Sequence, residues 1–283
     1  MKIAVLHDLL DRKGGAEKTL LSIARHLEDR GHDVSIFTLI LDKERTFTDL
    51  VEKVNVKEVG ILKDWLSYSG APRSSMRRRL RNMFGSLDPT QQLYLLYALR
   101  TFSGLKLGEY DIIHASNYPA SNAAALLKKE QGVPAVWGCN EPYRDLWLKE
   151  YSTEPYLSRA ANRTVGDLLR FIDVRLVSSL DAIFVNSNYT RTLVERIYGR
   201  TSTVIYPGID TRVYRPILDA SVLKERYCPE GGSLVLTVSR LYPAKKIDVL
   251  IRAVRRLKDR GERIKLLIIG EGPEERKTSE IGS

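Results

Sequence analysis

Short apolar runs alternate along this chain with longer stretches in which apolar positions recur every three or four residues. Runs of the first kind suit strands buried on both faces, and stretches of the second kind suit amphipathic helices. Their alternation predicts an α/β fold around a parallel sheet. Ile3 to Leu6 reads as a first strand, followed by a polar loop over 8–15 that ends in Gly14-Gly15. Leu20, Ile23, Ala24 and Leu27 then mark a helix stopped by Gly31, and Val34 to Leu39 a second strand. The pattern returns with a strand over Asp111 to Ala115, a helix from Ser121 to Gln131 closed by Gly132, and a strand from Val133 to Trp137. Val165, Leu168, Leu169 and Ile172 predict the apolar stripe of a further helix, which leads to the strand Ala182 to Val185. Asn186-Ser187-Asn188 offers caps for a helix reaching about Tyr198, and Val204-Ile205-Tyr206 is expected to close the sheet before the turn at Pro207-Gly208.

Residues 1–214 therefore read as one Rossmann-like domain, and 215–232, with Pro216, Pro229, Gly231 and Gly232, as a linker. A second unit follows: a strand from Leu234 to Val238, a helix striped by Ile247, Leu250, Ile251 and Val254, and a strand from Ile264 to Ile269. Residues 233–283 thus supply one strand–helix–strand unit, whereas a self-sufficient α/β domain takes about 100–150 residues. This second domain is expected to be incomplete.

Composition narrows the setting. An apolar share of 43% excludes a disordered chain, and no apolar run approaches the ~20 residues that span a bilayer. Cys139 and Cys228 stand far apart, which excludes a disulfide framework and a zinc site and suits the reducing cytoplasm. No D-x-D metal motif occurs. The net charge of +10 points to anionic partners or simply to solubility, and both readings stand on charge alone.

Four segments carry candidate chemistry. Arg240 and Lys245 bracket a loop between a strand and a helix start, where a helix N-terminus already favours phosphate. Gly14-Gly15 opens the first helix and lets a ligand approach its backbone, although such a pair is equally at home in a tight turn. The segment 137–144 ends a strand on the edge where α/β sheets bind ligands. It carries Asn140, Glu141 and Arg144, and the last two can equally well pair with each other at the surface. Residues 73–84 form a basic amphipathic helix, with Met76, Leu80, Met83 and Phe84 on one face and Arg77, Arg78 and Arg81 elsewhere. It suits either an anionic membrane surface or a packed helix with a solvated basic side. Stacking aromatics are missing around these arginines, so nucleic acid is not expected.

The stretch from Val238 to Asp248, continuing through Leu250-Ile251-Arg252-Ala253, resembles the S/G-R-L-x-P-x-K-G-x-D-x-L-I-x-A segment of the retaining glycosyltransferases of family 4. Asn186-Ser187-Asn188-Tyr189-Thr190, Val204 to Asp210 and Ile268 to Pro273 resemble three further segments of that family, in the same order. The resemblance implies a GT-B fold, a nucleotide-diphosphate sugar as donor, a glycan or lipid-linked acceptor, retention of configuration and no obligatory metal or cofactor. It assigns the donor diphosphate, and the charge on the leaving group, to Arg240 and Lys245. It places Gly15, Gly270 and Glu271 on the donor side, and Gly14, Asn140, Glu141 and Arg144 on the acceptor side. Peripheral docking at the inner face of the membrane through 73–84 fits a lipid-linked acceptor.

Three departures qualify this. Lys246 replaces the family's glycine, Asn140 stands where many relatives have a histidine and cannot serve as a general base, and the family's paired glutamates do not occur. Two alternatives therefore stay open beside an active transferase: an inactive remnant that binds acceptor or membrane, and a subunit completed by a second polypeptide.

Overall fold

The computed structural model describes residues 1–61, 89–148, 159–216 and 221–275, which fall into two compact units, Met1–Gly208 and Ile209–Ser283. The basic segment 73–84 lies outside the described residues.

The first unit runs β1 (Lys2–Leu10), α1 (Gly15–Glu28), β2 (Asp33–Leu41), α2 (Thr48–Val51), β3 (Asn55–Glu58), α3 (Pro89–Ser103), β4 (Ile112–Ser116), α4 (Ala120–Gln131), β5 (Ala135–Cys139), α5 (Arg144–Trp147), α6 (Arg159–Ser178), β6 (Ala182–Val185), α7 (Asn188–Tyr198) and β7 (Thr203–Val204). The seven strands lie in the order β3-β2-β1-β4-β5-β6-β7, each parallel to its neighbour. β1 has apolar layers on both faces. Ile3 and Val5 pack with Leu20, Leu21 and Ala24 of α1, while Ala4 and Leu6 pack with Phe102, Ala123 and Leu127 of α3 and α4. That double burial is why its sequence is a continuous apolar run and not an alternation.

Three sequence expectations shift. β5 starts at Ala135 and not at Val133, because Pro134 has no N–H for the ladder. β7 is only two residues long, and beyond it Ile205 and Tyr206 are 57% and 64% exposed at the sheet's edge. In α6 the expected stripe is wrong: Leu168 and Ile172 are 58% and 42% exposed, and the helix instead turns Asp173 and Val177 inward, 1% and 0% exposed. Hydrogen bonds explain that rotation. Asp173 Oδ2 accepts from Trp147 Nε1 at 2.7 Å and from Tyr198 Oη at 2.9 Å, so the buried carboxylate ties α5 and α7 to α6. Burial raises its pKa, against the lowering effect of those bonds.

The second unit contains α8 (Ser221–Tyr227), inside the segment expected as a linker, then β8 (Ser233–Val238), a 3-10 turn (Pro243–Lys245), α9 (Ile247–Asp259) and β9 (Ile264–Ile269). β8 and β9 pair in parallel. One face of this ribbon packs under α9, where Leu266 and Ile268 meet Leu241, Ile247 and Ile251. The other face leaves Leu236, Val238 and Ile269 at 56%, 71% and 49% exposure, although parallel sheets are ordinarily covered on both sides.

Candidate active site

In the second unit, the chain leaving β8 and the chain leaving β9 lie against each other. Ser239 N–H donates to the Ile269 carbonyl at 3.0 Å, Leu241 N–H to the Glu271 carbonyl at 2.8 Å, and Glu274 N–H to the Leu241 carbonyl at 3.1 Å. Glycine makes that approach possible. A Cβ on Gly270, whose φ is 156°, would sit 1.8 Å from the Ser239 carbonyl oxygen. Gly270 and Glu271 thus support the Arg240 loop through the backbone.

Arg240 is exposed, with its guanidinium 5.4 Å from the Tyr242 ring centroid, which leaves the charge accessible while the ring restricts its swing. Lys245, also exposed, ends the 3-10 turn, whose closing bond runs from Lys245 N–H to the Tyr242 carbonyl at 2.9 Å. Lys246 caps α9 at φ 53°, ψ 38°, a left-handed conformation in which glycine would be unstrained, and no side chain caps the helix. Lys245 thus stands two residues ahead of a helix N-terminus that has no side-chain cap among the described residues, a position that favours an anion, and Arg240 lies on the loop leading to it.

The first unit presents the other predicted residues at the carboxyl ends of its strands. The order reverses between β1 and β4, the switch point where open α/β sheets bind ligands. Gly14 caps α1 without a side-chain bond, and the space where Gly15 would carry a Cβ is open, with nothing within 4 Å. Glu141 and Arg144 form an ion pair, both partly exposed. Arg170 Nε donates to the Leu146 carbonyl at 3.1 Å and steadies α5, which carries Arg144.

Asn140 belongs to a row of amides across β4, β5 and β6. Asn186 Nδ2 donates to Asn140 Oδ1 at 3.5 Å, and Asn140 Nδ2 donates to Asn117 Oδ1 at 3.1 Å. Beside the row the rings of Tyr118 and Tyr143 stack, 4.2 Å apart and 11° from parallel. Below it lie two buried histidines. His7 Nδ1 is 3.3 Å from Ser116 Oγ, and His114 tilts against Phe184 at 5.1 Å. Among the described residues neither Nε2 has a hydrogen-bond partner. Burial, and secondarily the neighbouring His7, lowers the His114 pKa to about 4, so the ring is neutral near pH 7. Gly138 provides its space, since a Cβ there would lie 2.7 Å from His114 Nε2.

Asn117, Tyr118, Asn186 and the two histidines were not among the sequence candidates. A lone polar residue at a strand end has no spacing to signal it, and the row exists only because register places three strand ends side by side. Among the described residues, no group of three or more His, Cys, Asp or Glu side chains could hold a metal ion, and no helix is long and apolar enough to cross a membrane.

Comparison with known proteins adds the family context. Residues 13–213 match the family model described as Glycosyltransferase Family 4, and residues 224–281 match the one described as Glycosyl transferases group 1. The chain is 26% identical over 249 residues to the D-inositol 3-phosphate glycosyltransferase of Thermobispora bispora, covering 85% of this chain and 52% of the relative. It is 27% identical over 253 residues to that of Thermobifida fusca, covering 86% and 52%. The chain thus spans about half the length of these curated relatives. Among solved structures, Anabaena Alr3699/HepE in complex with UDP and glucose superposes with a TM-score of 0.64 at 21% identity, covering 99% of this chain and 64% of that one. Sucrose-phosphate synthase from Thermosynechococcus elongatus gives 0.62 at 16%, covering 99% and 65%. These two likenesses are of fold.

Proposed function

The chain belongs to glycosyltransferase family 4, and from that premise we propose that it transfers a sugar, with retention, from a nucleotide-diphosphate donor to a glycan or lipid-linked acceptor. The observation that carries this reading is that two exposed cations, Arg240 on the loop leaving β8 and Lys245 two residues ahead of α9, lie on one short strand-to-helix connection. In such a transfer the bond from the sugar's anomeric carbon to the phosphate oxygen breaks, and its electron pair stays on the nucleotide diphosphate. Two cations and a helix N-terminus stabilise that growing charge most where it is greatest, in the transition state. The acceptor hydroxyl attacks from the same face and its proton passes to the departing phosphate oxygen. That route suits a site in which Asn140 replaces a basic side chain.

In this reading Gly15 lies on the donor side in the first unit, while Gly14, Asn140, Glu141 and Arg144 surround the acceptor. The protein works in the cytoplasm and docks at the inner membrane face through 73–84. D-inositol 3-phosphate, the compound in the relatives' name, is a reasonable first acceptor to assay. Calorimetric titration with UDP-glucose is expected to give a dissociation constant on the order of micromolar, lost in the Arg240→Ala/Lys245→Ala variant. No binding by the unaltered chain would overturn the donor assignment.

A further inference from the structure

The amide row in the first unit has a direction. Ser187 Oγ already accepts the Thr190 N–H at 3.1 Å, so its own proton is available to Asn186 Oδ1, 3.1 Å away, and Thr190 Oγ1 reaches the same oxygen at 2.8 Å. With its oxygen engaged there, Asn186 turns its Nδ2 to Asn140, and Asn140 in turn donates to Asn117. Each oxygen in the row is taken by the preceding group. The amide nitrogen of Asn117 is left as the terminal donor, half-buried and without a protein hydrogen-bond acceptor among the described residues.

Asn117 is also held at φ 68°. Asparagine is, with aspartate, among the non-glycine residues that adopt this left-handed region readily, so the conformation sets where the side chain projects from the end of β4 without marking strain. Next to it stands the stacked Tyr118–Tyr143 pair. Primary amides that donate to hydroxyl oxygens, beside an aromatic face for C–H groups, form the chemistry that recognises a neutral ring polyol.

We infer that Asn117 is a ligand-contacting donor for a hydroxyl oxygen of a ring polyol, and that Asn140 and Asn186 are positioning residues that aim it. This rests on the glycosyl-transfer reading above and names the acceptor's chemical class. It also changes the role of Asn140, whose amide oxygen and nitrogen are both engaged within the row.

The test uses saturation-transfer NMR on the full chain with myo-inositol and methyl α-glucoside as probes, D-inositol 3-phosphate as the phosphorylated arm, and UDP as a separate titrant. Binding of the neutral polyols is expected on the order of 1–10 mM. Asn117→Asp keeps an oxygen for Asn140 Nδ2 but removes the donor, and should weaken polyol binding about tenfold. Asn186→Ala should weaken it about threefold, by releasing the row's root, with rescue by Asn186→Gln and with UDP affinity unchanged in every variant. A purely structural role would instead lower thermal stability without separating polyol from UDP binding. Absence of polyol binding by the unaltered chain, binding of the phosphorylated arm alone, or equal polyol binding by Asn117→Asp each overturns the inference. Loss of UDP binding with the polyol pattern intact would instead refute the glycosyl-transfer reading and leave the polyol site standing.

Discussion

Acidification places a specific load on His114. In the unfolded chain its imidazole takes up a proton near pH 6.5, while in the folded first unit the pKa is about 4, because burial excludes the charged ring and His7 repels it. Between those values the unfolded state binds more protons than the native state, so stability must fall as pH falls through this window. The separation corresponds to about 3 kcal/mol, with a limiting slope of ~1.4 kcal/mol per pH unit. That is a large share of the 5–15 kcal/mol typical of a domain. Urea unfolding followed by tryptophan fluorescence reads the relevant unit, because Trp65, Trp137 and Trp147 all precede residue 208. Stability measured at pH 7, 5.5 and 4.5 should decline more steeply for the unaltered chain than for His114→Gln, and the difference between the slopes isolates this ring. Proton NMR of the imidazole Cε1–H resonances provides the direct check. Titration of His114 near pH 6.5, or identical slopes for the two proteins, would refute the reasoning.

Lys246→Gly should slow amide hydrogen exchange over residues 247–254 by about two- to fivefold. Relief of ~1–2 kcal/mol of left-handed strain at φ 53° outweighs the 0.5–1 kcal/mol of chain entropy that glycine adds; unchanged or faster exchange would refute this. For 73–84, the chain is expected to sediment with phosphatidylserine vesicles and not with phosphatidylcholine vesicles, and Arg77→Gln/Arg78→Gln/Arg81→Gln should lose that preference. Equal sedimentation with both lipids would sink the docking proposal.

Much of the first unit could be read along the chain. Strands buried on both faces leave unbroken apolar runs, as at Ile3 to Leu6 and Val34 to Leu39, and these became the centres of β1 and β2. Gly132 marked the end of α4 because the turn there needs a left-handed residue, at φ 74°. β3 was missed because it is a short edge strand with alternate residues exposed, which leaves almost no apolar signal. The inward line of α6 was misread because periodicity weighs residues by hydrophobicity, while a buried carboxylate with two hydrogen-bond donors outcompetes Leu168 and Ile172 for the interior.

The sequence by itself determined the α/β class, the family resemblance and the cationic loop at Arg240 and Lys245. Each depends on residues close together in the chain, where spacing alone fixes what they can do. Only the tertiary structure decided that Gly270 is required by the Ser239 carbonyl, that Lys246 occupies a left-handed cap, and that His114 is buried and neutral. It likewise decided that Asn117, Asn140 and Asn186 form one directed row. Those facts depend on parallel strands bringing positions 23 and 46 residues apart within hydrogen-bonding distance, and strand register cannot be read from any local stretch of the chain.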